Sequence, residues 1–528
     1  MKSRFLHGAA LSALLLTSTA YAETPGNTLV VAKAIDDIIS LDPASNYEHS
    51  GTETINNVYE QLMQFEPEDV TKLVGGAVES WTVSGDGKTF ELKLRPGQVF
   101  HSGNPMTSDD VVFSLQRMVK LNKTPAIVVA QFGWKPDNIE KLVVARDPMT
   151  VELAVTAELA PSLVLNVLAN NIFSVVDKRL VLEHETDNDL GAGWLRNNSA
   201  GSGPYVLKSW RPNETLVMDA NPNFRLGAPK IKRILIRHVP EPASQRLLLE
   251  HGDVDIARSL TPDLMQGVAG NPDIAIEESV EASIQYLGLN QKFEPFKKPE
   301  VVKALKYLVD YQGMADSFVK GQWAVHQSFW PKGFDASMDK IPYKLDVEKA
   351  KELLAKGGYP DGFTVKLNVR NYSPYLDMAQ SVQNTMRLAN IKVEINATDL
   401  KQMVTAYRGR QHEITHSAWI PDYRDPQSHA FAFIQNPNNA DDSPDKTVAW
   451  RNAWEAPQDV RELADAAVKE RDTEKRMQMY VDLQERLQDD SPYIFMFQGM
   501  TRIASRKNVQ NISIDPANGV LYYRLTSK

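Results

Sequence analysis

Cysteine is absent from the 528-residue chain. That excludes a disulfide framework, a thiol nucleophile and lipid attachment through an N-terminal cysteine. Long apolar runs are missing too. Ala9 to Leu16 is far short of the roughly 20 residues that a membrane-spanning helix needs, and no other stretch approaches that length. Basic charge is not in excess: 58 lysines and arginines against 67 acidic residues give a net charge of -9, which argues against nucleic acid as a partner. Nor is there a phosphate-binding loop. Gly87-Lys88-Thr89 has the ending of one, but the motif needs a glycine where Thr82 stands. No Gly-x-Ser-x-Gly elbow occurs, and the histidines are too scattered to recommend a nickel site.

What is present is the composition of a soluble globular protein, 24% charged and 42% hydrophobic, in a chain too long for one ordinary core. Two or three domains are expected. Lys2 and Arg4, the apolar Ala9 to Leu16 and the small-x-small Ala20-Tyr21-Ala22 predict a secretory signal peptide, residues 1–22, cleaved after Ala22. Losing its two positive charges takes the net charge from -9 to -11. Export with neither a spanning helix nor a lipid anchor suits the periplasm of a Gram-negative cell.

Residues 28–34 (TLVVAKA) predict a first strand. Asn56 to Phe65 puts Val58, Leu62 and Phe65 on one face with Tyr59 and Met63 beside them, which predicts a helix that packs through those side chains. From Gly76 onward, Ser84-Gly85-Asp86-Gly87 is a turn, and Phe90, Leu92 and Leu94 alternate with Glu91 and Lys93, so a hairpin is expected. Thr107 with Asp110 makes a capping box before the apolar run Val111 to Leu115. A second hairpin flanks Asp147-Pro148. Past Tyr286 to Asn290, strands at 363–369, 391–395 and up to Trp419 alternate with helices at 300–310, after Asp346, before Asn390 and at 400–408. That alternation implies a parallel sheet with crossovers and hence an α/β lobe. The aromatic run Tyr493 to Phe497 would return the chain, so two strands would form a hinge.

Trp81, Ser84, Asp86-Gly87, Phe90, Leu92, Leu94-Arg95, Gly97, Phe100, Gly103, Pro105, Asp109-Asp110-Val111, Phe113-Ser114 and Arg117 closely resemble the signature region of the family 5 extracellular solute-binding proteins, the peptide, opine and nickel receptors of bacterial ABC importers. Gly201 to Tyr205 with Trp210, Asn221 to Phe224 with Gly227 to Pro229, and Gly252 to Ile256 resemble further blocks of that family. The resemblance implies an α/β, two-lobed periplasmic binding protein of type II, cluster C-like, with an extra subdomain in the first lobe and a two-strand hinge. Residues 23–60 and 196–285 would form the core of the first lobe, 61–195 the extra subdomain, 286–497 the second lobe and 498–528 a return segment. Such a protein is a carrier and not an enzyme. It would work as a monomer without a cofactor, and hand a short peptide to an inner-membrane ABC permease with separate ATPase subunits. An opine or sugar phosphate is the alternative cargo.

Candidate site residues fall in three places. His412-Glu413-Ile414-Thr415-His416 matches H-E-x-x-H, the core of a zinc hydrolase when it lies on a helix. Gly409 ends the preceding helix, however, and β-branched residues lead on to Trp419, so a strand is expected; four residues along a strand span roughly 13 Å, too far for one metal. Asp422 stands between aromatic residues just past a strand of an α/β sheet, where a carboxylate can anchor an ammonium group. By resemblance it occupies the position of the family's aspartate that pairs with the peptide α-ammonium, in a W-x-x-D-x-x-D-P pattern beginning at Trp419. Arg370, at the end of the strand 363–369, is followed by Asn371-Tyr372-Ser373-Pro374. This is similar to the run that in dipeptide-binding members supplies the arginine for the peptide carboxylate, with Asn371 and Ser373 as departures. Tyr372, Tyr47, Trp330 and Trp419 are the expected aromatic pocket residues.

Overall fold

A computed structural model describes residues 24–66, 69–443 and 446–528. The expected signal peptide and its cleavage after Ala22 lie outside these residues. One sheet of eleven strands runs through the whole molecule. Its first half is ordered Tyr205–Arg211, Thr215–Ala220, Arg233–His238, Thr28–Lys33, Ile256–Ala257, and its second half Ile414–Trp419, Thr364–Arg370, Lys392–Thr398. Between the halves lie two long antiparallel strands, Ile274–Leu289 and Tyr493–Arg506, which belong to both, and the short eleventh strand Trp323–Val325 pairs with the latter off the main path.

Alternation along these strands feeds cores on both faces. In Thr28–Lys33, Leu29 and Val31 pack with Ile55 and Ile234, while Val30 and Ala32 pack with Leu249 and Met265. Beyond the long pair the same rule repeats: Leu287 and Leu289 join Ile494, Met496 and Leu367 on one face, and Ile284 and Tyr286 join Phe433, Tyr493 and Phe495 on the other. Each half is thus an α/β lobe with its own two-sided core, and the molecule has two lobes. Parallel pairing of Thr364–Arg370 with both of its neighbours is what the strand–helix alternation predicts.

The ladder between the two long strands breaks where one lobe gives way to the other. Its register shifts between Val280, opposite Met500, and Ile284, opposite Gln498. The Ala282 N–H donates instead to the Pro516 carbonyl at 2.8 Å. A bulge frees backbone from the ladder and sharpens the local twist, so the two lobes are joined by paired strands with an interruption at the crossing.

Residues 62–175 supply a further core of their own. The expected hairpins are Val78–Val83 with Thr89–Leu94, and Val143–Asp147 with Thr150–Ala154, merged in one four-stranded sheet. The helix Ser108–Leu121 covers it, entered through the expected capping box in which the Thr107 N–H donates to the Asp110 carboxylate at 2.8 Å. One element differs from expectation. The helix is His49–Val58, not 56–65, and Met63–Glu66 is a strand paired with Asp69–Gly75. Ile55, Val58 and Tyr59 point into the first-lobe core, whereas Leu62 and Met63 point into the adjoining one. Buried residues at helical spacing here serve two different cores, and that is why their period misleads.

Candidate functional site

The segment after the strand Ile414–Trp419 is built by Asp425. Fully buried, it accepts from Arg476 Nη1 at 2.8 Å and Nη2 at 2.6 Å, from Asn166 Nδ2 at 3.0 Å and from the Gln427 N–H at 3.0 Å, at the start of the helix Gln427–Ile434. Three residues earlier the same segment presents Asp422 to the cleft. Its N–H donates to Ser428 Oγ at 3.1 Å and its carbonyl accepts from Asn170 Nδ2 at 2.8 Å, which fixes the backbone and leaves the side chain open. The carboxylate accepts from the Tyr47 hydroxyl at 2.9 Å, and among the described residues no cation pairs with it. Burial raises the Asp422 pKa, and the Tyr47 hydrogen bond offsets this in part. Burial and the Asp422 charge together push the Tyr47 phenol up. Nearby, Arg424 forms an ion pair with Asp515 and lies 4.8 Å over the Phe65 ring, so this second-lobe loop clasps the first lobe.

Arg370 ends the strand beside the one that leads to Asp422. Leu367 is level with Ile414 and Asn368 with Thr415 in a parallel ladder, so both strands bring their carboxyl ends to the same edge, where α/β sheets gather ligands. The Arg370 guanidinium lies 4.4 Å over the Tyr375 ring and its Nη1 is 3.4 Å from the Tyr372 hydroxyl. Its Nε is buried without a partner, and no carboxylate pairs with the side chain among the described residues. It is therefore not the freely solvated arginine that a strand end usually carries.

The structure thus brings Tyr47 to Asp422 and Tyr372 to Arg370, and sets these two pairs on adjacent strand ends without contact between them. Trp419 packs edge-on to Phe433 at 6.3 Å, beneath the Arg451 guanidinium at 5.6 Å. Trp330 is a correction. Only 1% exposed, it sits in the second-lobe core with its indole N–H donating to the Asp335 carbonyl at 2.7 Å, and it lines neither of the two cavities between the lobes.

The H-E-x-x-H residues lie on a loop and the strand Ile414–Trp419, in the extended setting the flanks predict. Each has separate employment. His412 Nε2 meets Asn452 Oδ1 at 3.1 Å, Glu413 accepts from the Lys366 N–H at 2.7 Å, and His416 is stacked near Trp323 and Tyr375. Burial lowers His412 to about 4 and, with the Arg370 charge added, His416 to about 3. Among the described residues no group of three or more histidine or acidic side chains is placed to hold a metal.

Two cavities open between the lobes. One of about 130 Å³ borders Asp422, Tyr423 and Asn518; the other, about 530 Å³, borders Ile420, Arg258, Glu281 and again Asn518. Beneath the second lie Lys33, Glu53 and Arg258, which sequence reasoning missed. The signal was a lysine inside the otherwise apolar strand Thr28–Lys33, four per cent exposed.

Residues 72–441 match the family described as bacterial extracellular solute-binding proteins, family 5 Middle. Along 520 residues the chain is 28% identical to the probable D,D-dipeptide-binding periplasmic protein DdpA of Escherichia coli strain K12, covering 96% of each. Among solved structures it is similar to HbpA2 from Haemophilus parasuis, with a TM-score of 0.81 at 21% identity over 95% of this chain and 99% of that one. It is also similar to DppA from Helicobacter pylori, an ABC transporter-associated periplasmic binding protein in complex with the peptide STSA, with a TM-score of 0.74 at 21% identity over 95% and 98%.

Proposed function

The chain belongs to the bacterial extracellular solute-binding proteins of family 5, and from that premise we propose that it is the periplasmic receptor of an ABC importer for short peptides. The observation that carries this reading is the pairing of two charges uncompensated among the described residues at neighbouring strand ends: Asp422, a carboxylate with no cation, and Arg370, a guanidinium with no carboxylate. A zwitterion satisfies both. Counting on from the register at Asn368 and Thr415 makes Arg370 level with Ser417, five residues before Asp422. At about 3.3 Å per residue the backbone separation is at most roughly 17 Å, shortened by the turn at Pro421 and by both side chains reaching inward. A peptide of two or three residues, at about 3.3 to 3.6 Å each, fits that gap.

In this reading Asp422 takes the peptide ammonium and Arg370 its carboxylate, with Tyr372 beside the guanidinium and Tyr47 closing over the carboxylate from the other lobe. Trp419 supports the loop from behind. The bulge in the two hinge strands is where the lobes would close, a known repertoire for periplasmic binding proteins. The chain acts as a carrier, is exported with cleavage after Ala22, works as a monomer, and passes its cargo to a membrane permease whose ATPase subunits are separate chains. The E. coli relative named as a probable D,D-dipeptide-binding protein supports the peptide class.

The experiment is mass spectrometry of the small molecules released when protein from an osmotic-shock fraction is unfolded. Short peptides are the expected result. An opine or a sugar phosphate in their place would replace the peptide reading, and recovery of the protein only with membranes would overturn the periplasmic one.

A further inference from the structure

The larger cavity lies where both lobes meet the hinge strands. Two cations reach it from the first lobe and share one carboxylate: Lys33 Nζ is 3.4 Å from Glu53 Oε1, and Arg258 Nη2 is 3.4 Å from Glu53 Oε2. That carboxylate is further engaged, by the Tyr523 hydroxyl at 2.7 Å and the Leu521 N–H at 3.1 Å. Arg258 Nη2 also donates to the Gly519 carbonyl at 2.7 Å. Its Nη1 has no partner among the described residues although only 6% of the side chain is exposed. A buried donor left unmade is costly, and a guanidinium edge with a free nitrogen is shaped for a carboxylate.

The acids around this cavity leave that edge free. Glu281, on a hinge strand, accepts from Thr501 Oγ1 at 3.2 Å and forms no ion pair among the described residues; burial raises its pKa, which the Thr501 hydrogen bond and the nearby Arg258 charge offset in part. Asp36 and Asp37 stand exposed at the rim, the latter already accepting from the Ser50 N–H at 2.9 Å. Two cations, Lys33 and Arg258, thus share the one Glu53 carboxylate, and a guanidinium nitrogen of Arg258 is left over.

We infer that the free edge of Arg258, backed by Lys33, receives a carboxylate of the cargo, so that the preferred ligand is a short peptide with an acidic group besides its two termini. The inference rests on the peptide reading above and adds to it a third charged contact, from the first lobe. Ile420 borders this cavity and Asp422 the smaller one beside it, so a peptide held at Asp422 has its adjoining side chain within reach of Arg258.

Calorimetry on the exported chain tests this with Ala-Glu and Glu-Ala against Ala-Gln and Gln-Ala. The wild type should bind the better glutamate peptide about tenfold or more tightly than its glutamine isostere, as expected for a buried charge contact. Arg258→Gln should bring that ratio within about twofold while leaving the glutamine peptide within about threefold of wild type. Equal affinities in the wild type, or a ratio that survives Arg258→Gln, would overturn the inference. Should Arg258→Gln fail to fold, Arg258→Lys keeps the charge beside Glu53 but loses the planar fork, and should cut the ratio at least about threefold; an unchanged ratio overturns it equally. If neither kind of peptide binds, the peptide reading fails, and the subsite is read separately by thermal shift with glutarate against glutaramide. A rise in Tm with glutarate alone, lost in the Arg258 variant, retains the carboxylate site. No glutarate-specific rise removes it.

Discussion

Tyr47 donates its phenolic hydrogen to Asp422 Oδ1 at 2.9 Å, joining across the cleft two side chains 375 residues apart in sequence. The hydroxyl is the one side-chain donor this carboxylate has among the described residues. A carboxylate held by one neutral donor keeps its charge unpaired and is open to a cation.

That unpaired charge predicts the effect of removing it. Calorimetry on Asp422→Ala with a dipeptide should show a loss of about 2 to 5 kcal/mol, roughly 30-fold or more in affinity. N-acetylation of the dipeptide should weaken binding to wild type by a similar factor and add little in Asp422→Ala. Arg370→Ala should behave likewise toward the C-terminal amide. If both substitutions leave affinity within about twofold, the terminal contacts are not those assigned.

Acid should weaken binding earlier than an ordinary aspartate allows. The Asp422 pKa is raised, so on acidification its carboxylate is protonated above the usual range near 3.9, and ammonium binding fades as pH falls through that raised value. The Tyr47 hydrogen bond pulls the pKa down; Tyr47→Phe removes it and should move the midpoint of the affinity–pH curve to higher pH. A midpoint that stays put, or moves down, contradicts the assignment.

Asp422 and Asp425 should separate function from stability. Asp425 and Arg476 are both fully buried and joined by two hydrogen bonds, and breaking such a pair from one side typically costs about 3 to 5 kcal/mol. Asp425→Ala should lower the urea midpoint markedly, whereas Asp422→Ala, which strands no buried cation, should leave it within about 0.5 kcal/mol of wild type.

The Glu53 cluster gives a stability measurement with a defined sign in pH. Burial alone would raise the Glu53 pKa, but Lys33 and then Arg258 outweigh it and hold the group at about 2. Because the folded value lies below the unfolded one near 4.3, the stabilisation is complete above that unfolded value and is lost as pH falls through about 2. Glu53→Gln leaves two buried cations without a carboxylate and should cost about 3 to 5 kcal/mol at neutral pH. Its deficit against wild type should shrink in acid, and a deficit independent of pH between 2 and 7, ordinary bounds of such a titration, would place the stabilising contact elsewhere.

Local signals were read correctly where one element contained the whole cause. Alternation in Thr89–Leu94, the Thr107 capping box and the β-branched run through His416 depend on neighbours a few residues away, and the structure has all three. The helix expected at Asn56 to Phe65 failed for the opposite reason. Its apolar residues are buried as expected, but Tyr59 and Leu62 answer to different cores, and periodicity carries no label for which core a side chain enters. Trp330 failed in the same way, since an aromatic side chain suits a core as well as a cleft.

By itself the sequence determined the α/β alternation, the family signature and the two strand ends that carry Arg370 and Asp422, because period, turn chemistry and motif spacing are written along the chain. Only the tertiary structure decided which charges lack partners. Asp425 and Asp422 are three residues apart and chemically identical, yet one is paired with Arg476 and the other, among the described residues, meets only Tyr47. Lys33, Glu53 and Arg258 come from separate segments, and their imbalance exists only once folding has buried them together. Whether a charge is spent on the fold or left for a ligand depends on its desolvation and on partners hundreds of residues away, quantities that come into being when the lobes pack.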